Sequence, residues 1–188
     1  AELLGRQKGI TREECDLLLA HCTNLWREVV LTALKTGLRR GELKALKWSD
    51  INWHNRTLTV RHSWCEASNA LDAPKSNRER HIPLAGEVYD MLTRRRQTTG
   101  FIFASEKNQP LDIKGLSREL TYACRRAGIR EITCHVLRHT FASHLVIAGA
   151  PLKAIQELLG HATVQMTLRY AHLAPSSLRN AIDLLEPE

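Results

Sequence analysis

Five side chains along the chain could together act on a phosphodiester. Arg39 lies in TGLRRGEL, and His135 and Arg138 lie in HVLRH, where a spacing of three residues puts both on one face of a helix. His161 follows the glycine of LLGH, and Tyr170 lies in TLRYAH. Two guanidiniums can hold the two non-bridging oxygens of a phosphate and stabilise its pentacoordinate transition state. With two imidazoles and a tyrosine nucleophile, this set predicts phosphodiester chemistry that requires no metal.

Each of these residues has a simpler interpretation when it is considered alone. Arg39 could be a solvated cation near a turn, and Tyr170 could be a surface aromatic on an amphipathic helix. His135 and His139 have the i, i+4 spacing of zinc ligands, but no glutamate lies between them as in HExxH, and Cys134 is the one obvious further ligand. We therefore expect His139 to be a packed, hydrogen-bonded histidine on the inner face of its helix.

Five motifs follow one another in a fixed order along the chain: TGLRRGEL (36–43), APKSNRERHIPL (73–84), HVLRHTFASHL (135–145), LLGH (158–161) and MTLRYAH (166–172). In order and separation they resemble the C-terminal catalytic domain of tyrosine recombinases of the phage-integrase type. The resemblance covers about residues 11–175. It implies an enzyme that cleaves and rejoins DNA strands through a 3'-phosphotyrosyl intermediate.

The resemblance also implies a role for each residue of a catalytic set: Arg39, Lys75, His135, Arg138, His161 and Tyr170. Tyr170 would attack the scissile phosphate, and Lys75 would protonate the leaving 5'-oxygen as a general acid. The two arginines would bind the phosphate, and the histidine of LLGH would hydrogen-bond a non-bridging oxygen. His135 would assist proton transfer at the tyrosine. Glu42 matches the acidic residue that supports the first arginine.

The elements that must position these residues are mostly helices. Thr11 and Glu14 form a capping-box pattern at a helix start. Apolar residues recur at helical spacing over 25–36, and the pattern ends at Gly37, the residue type expected just past a helix C-terminus. Further helices are predicted over residues 41–46, 86–97, 113–127, 136–148, 152–159, 164–171 and 177–185.

Before the helix predicted at 86 the pattern changes from helical spacing to alternation. Residues 57–61 alternate with period two and residues 80–83 do so more weakly, which predicts antiparallel strands. The polar segment 73–78 contains a proline, so we expect an exposed hairpin loop there. The predicted fold class is α+β, mostly α: a helical tyrosine-recombinase catalytic domain with a small three-stranded antiparallel sheet.

The composition is that of one globular domain with an anionic partner. The chain has 188 residues, of which 43% are hydrophobic and 25% charged, and 27 Lys and Arg against 20 Asp and Glu give a net charge of +7. Nucleic acid is the commonest partner of such a basic domain. The five cysteines are scattered without a CxxC pair, so we expect reduced thiols and neither a disulfide framework nor a cysteine zinc site. Because the catalytic set requires no metal, we expect neither cofactor nor metal. No apolar run approaches the roughly 20 residues that span a bilayer, so we expect an intracellular protein. The resemblance implies a cytoplasmic, nucleoid-associated protein of a bacterial or phage-infected cell.

The resemblance divides the chain and implies its partners. Residues 1–10 would be a linker from a missing N-terminal core-binding domain, residues 11–175 the catalytic domain, and residues 176–188 a tail helix that packs in cis or on a neighbouring protomer. The implied partners are double-stranded DNA, three further copies in a tetramer on that DNA, and accessory DNA-bending or directionality proteins.

Two other functions stay open: a type IB topoisomerase, which shares this chemistry, and a non-catalytic DNA-binding regulator of the same fold.

Overall fold

The computed structural model describes residues 9–74, 78–105, 109–112 and 114–174. The described residues form eight α-helices: α1 (Arg12–His21), α2 (Asn24–Thr36), α3 (Arg40–Ala45), α4 (Gly86–Arg94), α5 (Lys114–Ala127), α6 (Cys134–Ile147), α7 (Leu152–Leu159) and α8 (Gln165–Leu168). Between α3 and α4 they form five strands: β1 (Ile51–Asn52), β2 (Thr57–Val60), β3 (Ser63–Cys65), β4 (Ala70–Asp72) and β5 (Arg80–Pro83). Within these ranges, no helix is long and apolar enough to cross a membrane.

The helix signals at the start of the chain are confirmed. The hydroxyl of Thr11 accepts a hydrogen bond from the backbone N–H of Glu14 at 3.1 Å, and the Glu14 carboxylate accepts one from the N–H of Thr11 at 2.7 Å. At the end of α2, Gly37 has the left-handed φ of 64° that a residue without a Cβ adopts at little cost. The chain reverses there, and α3 begins at Arg40.

The three-stranded antiparallel sheet is also confirmed, with β2 between β1 and β5. Leu58 pairs with Ile51 on one side and with Ile82 on the other, and all three side chains are buried. The next inward-facing pair on the same face is Val60 with Arg80. The alternation of the strand therefore buries an arginine among apolar residues.

A second sheet, formed by β3 and β4, was not predicted. Its strands have three residues each, which is too short for alternation to be distinguished in the sequence. The hairpin packs closely on α3, since a Cβ on Gly41 would lie 2.6 Å from Ser63 Oγ and 2.8 Å from the Trp64 carbonyl oxygen. The ammonium of Lys44 lies 4.7 Å from the centre of the Trp64 ring. These contacts between distant segments stabilise the hairpin.

Two predicted helices are shorter in the structure. The helix predicted over 86–97 ends at Arg94, and the guanidinium of Arg95 donates to the carbonyl of Ile102 at 2.9 Å and pairs with Glu28. The helix predicted over 164–171 is confirmed only for α8. Tyr170 lies in the turn between α8 and the 3-10 helix Ala171–Leu173.

Several predictions fall outside the described residues: Lys75, residues 1–8 of the predicted linker, and the predicted tail helix. The last two linker residues are described and are buried. Ile10 donates its N–H to Thr140 Oγ1 at 3.1 Å, and its carbonyl oxygen lies 2.9 Å from His144 Nε2. The entry to the domain is therefore fixed against α6.

Two apolar clusters hold these elements together. The larger one joins α1, α2, the three-stranded sheet, α4, α5 and the start of α6, and it includes the fully buried Leu18, Val30, Leu58, Leu120 and Leu137. The smaller one joins the second half of α6 to α7 and to the turn after α8, through Phe141, Ala142, Val146, Ile155, Leu159 and Tyr170. The ring of the predicted nucleophile is thus part of a core. All five cysteines are unpaired, and Cys15, Cys22, Cys124 and Cys134 are buried.

Gly37→Ala should destabilise the domain strongly. A Cβ there would lie 2.4 Å from Phe141 Cδ1 and 3.0 Å from Leu159 Cδ2, in addition to the positive φ. We expect a loss of about 2–5 kcal/mol in the free energy of unfolding, measured by urea denaturation, from backbone strain and overpacking together. Gly128→Ala is the matched control, because its φ is +67° but nothing lies within 4 Å of the added methyl. Equal losses for both variants would contradict the role given to the contact with Phe141.

Candidate active site

The carboxylate of Glu42 lies between two guanidiniums and is 0% exposed. Arg39 donates to it from Nη1 at 3.0 Å and from its backbone N–H at 2.8 Å. Arg80 donates through both terminal nitrogens, at 2.9 and 2.7 Å. Burial alone would raise the pKa of Glu42, but the hydrogen bonds and charge of Arg80, with those of Arg39, lower it to about 2. Glu42 is therefore ionised at neutral pH.

The local sequence explains how Arg39 and Glu42 come together. After the turn at Gly37, Arg39 is the N-cap of α3 and Glu42 is its third residue. A carboxylate at that position can accept the backbone N–H of the N-cap residue. Leu38 and Leu43, both 1% exposed, anchor the segment in the larger cluster. The motif TGLRRGEL thus encodes a turn, a capped helix start and a buried carboxylate.

Arg80 is a site residue that the sequence analysis missed. Besides its two bonds to Glu42, it donates from Nε to the carbonyl oxygen of Leu158 at 2.9 Å. A Cβ on Gly160 would lie 3.0 Å from Arg80 Cδ, so the LLGH turn can approach this side chain because its third residue is glycine. The available signal was the alternation of β5, in which Arg80 shares the inward face with Ile82. An arginine on that face requires a buried partner.

Arg138 projects from α6 toward the same turn. It donates from Nη1 to the Gly37 carbonyl and from Nη2 to the Leu159 carbonyl, both at 2.6 Å. Burial and then the positive charge of Arg39 lower the pKa of Arg138 to about 9. Arg39 reaches the next carbonyl, that of Gly160, at 3.5 Å. Two cations therefore converge on adjacent residues, as at a site built for an anion.

His161 follows α7 and is held through its backbone and through one nitrogen of its ring. Its backbone N–H donates to the carbonyl of Gln156 at 3.0 Å, and its Nδ1 lies 2.9 Å from the hydroxyl of Thr167, a buried residue of α8. Burial, and then the charges of Arg138 and Arg39, lower the pKa of His161 to about 4. The imidazole is therefore neutral near pH 7. When Nδ1 accepts the Thr167 proton, Nε2 carries a proton that can be donated to a ligand.

Tyr170 is 6% exposed, and its hydroxyl oxygen lies 2.5 Å from Nδ1 of His139. Burial raises the pKa of the phenol, and the charges of Arg169 and Arg138 partly oppose this. His139 is the packed, hydrogen-bonded histidine that the sequence predicts, but its partner could not be foreseen. The simpler interpretation of Tyr170 as a surface aromatic does not hold, because its ring belongs to the smaller cluster.

The remaining predicted residues of the catalytic set are His135 and Lys75. His135 is exposed on the first turn of α6, one turn before Arg138. Lys75 lies outside the described residues. Among the described residues, no group of three or more His, Cys, Asp or Glu side chains could hold a metal ion, so the geometry does not support the zinc interpretation of His135 and His139.

The site brings two arginines together with a buried tyrosine, and sequence comparison gives the family to which the chain belongs. Residues 8–177 match the family model described as the phage integrase family. The chain therefore belongs to the phage integrase family.

Three similar proteins illustrate the relationship. The tyrosine recombinase XerA of Pyrococcus furiosus is 34% identical over 160 residues, which cover 84% of this chain and 53% of that protein. The solved catalytic domain of bacteriophage HP1 integrase has a TM-score of 0.71 and 29% identity, covering 96% of each chain. A fragment of the Tn1549 transposon integrase in complex with a circular intermediate DNA has a TM-score of 0.77 and 25% identity, covering 95% of this chain and 67% of that one. The chain spans about half the length of the curated relatives it matches.

Glu42→Gln should destabilise the domain far more than removal of an exposed ion pair. The change leaves the guanidiniums of Arg39 and Arg80 with uncompensated charge in a buried place, so we expect a loss of about 3–5 kcal/mol in unfolding free energy. Glu87→Gln is the control, because its pair with Lys35 is exposed and is worth about 0–1 kcal/mol. Urea denaturation of both variants checks the difference. A loss below about 1 kcal/mol for Glu42→Gln would show that the carboxylate does not compensate these charges.

The protonation of His161 should begin only in acid. Its pKa is lowered from 6.5 to about 4, so between these pH values only the unfolded chain takes up the proton. The stability contributed by the neutral ring is complete above pH 6.5 and is lost as the pH falls through 4. An NMR titration of the imidazole resonances, assigned with His161→Gln, should show a midpoint of about 4. A midpoint near 6.5 would mean that neither burial nor the two guanidiniums act on the ring.

Proposed function

We propose that this chain is the catalytic domain of a site-specific DNA recombinase that cleaves and rejoins DNA strands through a 3'-phosphotyrosyl intermediate. One observation carries the proposal: the guanidiniums of Arg39 and Arg138 reach the adjacent carbonyls of Gly160 and Leu159, and Tyr170 packs with Leu159 in the smaller cluster. Burial and then the charge of Arg39 lower the pKa of Arg138, and a phosphate between the guanidiniums would relieve the repulsion between these two charges.

DNA is the substrate that the relatives and the charge of the chain support. The curated relative from Pyrococcus furiosus is named a tyrosine recombinase, and the Tn1549 integrase fragment was solved with a circular intermediate DNA. The net charge of +7 favours a polyanion. Because exchange between two duplexes takes four strand cleavages, we infer a tetramer on double-stranded DNA. Accessory DNA-bending or directionality proteins are part of the same proposal.

Each described residue of the site has its own role at the phosphate. Arg39 and Arg138 bind the non-bridging oxygens and stabilise the charge of the pentacoordinate transition state. The neutral imidazole of His161 donates from Nε2 to one of these oxygens. Glu42 stays ionised and orients Arg39, while Arg80 compensates the charge of Glu42 and fixes the end of α7. The donors are thus in place before the substrate binds.

Covalent exchange at Tyr170 keeps the energy of the phosphodiester. The phenolic oxygen forms a bond to phosphorus, the bond to the 5'-oxygen breaks, and that oxygen takes a proton from Lys75, the proposed general acid. A 5'-hydroxyl of another strand can reverse the step without ATP. For the proton of Tyr170 the resemblance assigns His135, whose exposed imidazole lies one turn before Arg138.

A covalent adduct on Tyr170 is the expected result of the decisive experiment. The protein as it occurs in its host is incubated with supercoiled and fragmented DNA, denatured and digested with nuclease, and the Tyr170 peptide is examined for added nucleotide mass. Tyr170→Phe should abolish the adduct and leave DNA binding intact, because only the nucleophilic oxygen is removed. Arg39→Ala and Arg138→Ala should each lower adduct formation by about 10²-fold or more.

Other outcomes would favour the other functions. Relaxation of supercoiled DNA without exchange between two sites would indicate a topoisomerase. Tight DNA binding with no adduct would indicate a non-catalytic regulator. An adduct formed normally by Tyr170→Phe would overturn the assignment of the nucleophile.

A further inference from the structure

The hydroxyl of Tyr170 has an imidazole partner other than the one the resemblance assigns. Its oxygen lies 2.5 Å from Nδ1 of His139, and the two ring centres are 5.8 Å apart at an angle of 52°. His135 lies four residues earlier on α6, about 6 Å away along the helix axis, and is exposed. The nitrogen at the attacking atom is therefore that of His139.

Rigid elements hold both members of this pair. His139 lies in the first half of α6, between Arg138 and the buried Thr140. Tyr170 is fixed through its backbone, since its N–H donates to the Thr167 carbonyl at 3.0 Å, and its ring packs in the smaller cluster. Groups that are held by packing and backbone bonds keep the geometry that proton transfer requires. The contact follows from the fold of the two segments.

Attack by Tyr170 requires its proton to leave. Burial raises the pKa of the phenol, so near pH 7 the hydroxyl keeps its proton until a base removes it. A general base must lie within hydrogen-bond reach of the proton that it takes. His139 Nδ1 meets this condition at 2.5 Å when its own ring proton is on Nε2.

We propose that His139 is the catalytic base for Tyr170, a proposal that rests on the function proposed above. The O–H bond of Tyr170 breaks, its proton moves to Nδ1 of His139, and the phenolic oxygen bonds to phosphorus as the bond to the 5'-oxygen breaks. His139 then holds the proton as an imidazolium while the strand is attached. When the strand is rejoined, the bond from Tyr170 to phosphorus breaks and the proton returns from His139 to the phenolic oxygen.

The test is the rate of adduct formation with His139→Asn. The asparagine amide can occupy the position of Nδ1 and accept the Tyr170 hydrogen bond, but it cannot take up the proton. The probe is a duplex recovered from random fragments by covalent capture on the unaltered protein. In a single turnover we expect adduct formation to slow by about 10²-fold or more, with unchanged DNA affinity and thermal midpoint. His144→Asn is the matched control on the same helix, with its ring on the Ile10 carbonyl and an unchanged rate expected.

A second measurement separates proton transfer from simple support of the ring. Fluorinated tyrosines of progressively lower pKa are placed at position 170, in the unaltered chain, in His139→Asn and in His135→Asn. A phenol that ionises on its own needs no base, so the defect of His139→Asn should shrink as the phenol pKa falls. The defect of His135→Asn should stay constant. An active His139→Asn chain carrying a fluorinated tyrosine would also show that this variant is folded.

Three results would overturn the proposal, and they differ from failure of the proposed function. The first is adduct formation by His139→Asn at the unaltered rate, and the second is a defect of this variant that persists with every fluorinated tyrosine while the unaltered chain reacts. The third is relief of the His135→Asn defect, and not of the His139→Asn defect, as the phenol pKa falls. That result would assign the role of the base to His135. If the unaltered protein forms no adduct on Tyr170, the proposed function itself fails.

Discussion

The site depends on one buried contact, the carboxylate of Glu42 between the guanidiniums of Arg39 and Arg80. Buried charges are costly unless each has a well-oriented partner. Four hydrogen bonds from Arg39 and Arg80 end on the Glu42 carboxylate, and a fifth joins Arg80 to the Leu158 carbonyl. Through Arg80 the contact joins β5 to the end of α7, and through Arg39 it joins both to the start of α3. Loss of the carboxylate would therefore release three elements that carry or support the phosphate donors.

The charges of this region do not balance, and the excess positive charge favours the binding of an anion. Arg39, Arg80 and Arg138 face a single carboxylate. Burial and then the charge of Arg39 lower the pKa of Arg138 to about 9, and burial and then the charges of Arg138 and Arg39 lower that of His161 to about 4. Positive charge from neighbouring guanidiniums therefore adds to the effect of burial at both residues. A phosphate would offset this positive charge with two hydrogen-bonded oxygens, so binding energy would be available where charge develops in the proposed strand cleavage.

Helix α6 carries two residues of the candidate site and also part of the smaller apolar cluster. Arg138 and His139 are adjacent on it and contact different partners, the carbonyls of Gly37 and Leu159 for the first and the hydroxyl of Tyr170 for the second. Phe141, two residues later, lies against Gly37 and belongs to the same cluster as Tyr170. The tyrosine is thus positioned by a core, which explains how a residue on a short turn after α8 can have a defined hydroxyl position.

Local signals in the sequence determined the capped start of α1, the turn at Gly37, the three-stranded sheet and, through the motif resemblance, the family and the candidate catalytic set. They did not determine where α4 and α8 end, the β3–β4 hairpin, the burial of Arg80 or the partner of Tyr170. Helix caps and strand alternation depend on neighbours within a few residues, which a sequence displays directly. The pairs that complete the site join residues 38 and 31 positions apart, Arg80 with Glu42 and Tyr170 with His139. Such pairs form only when packing brings distant segments together, so tertiary structure alone decided them.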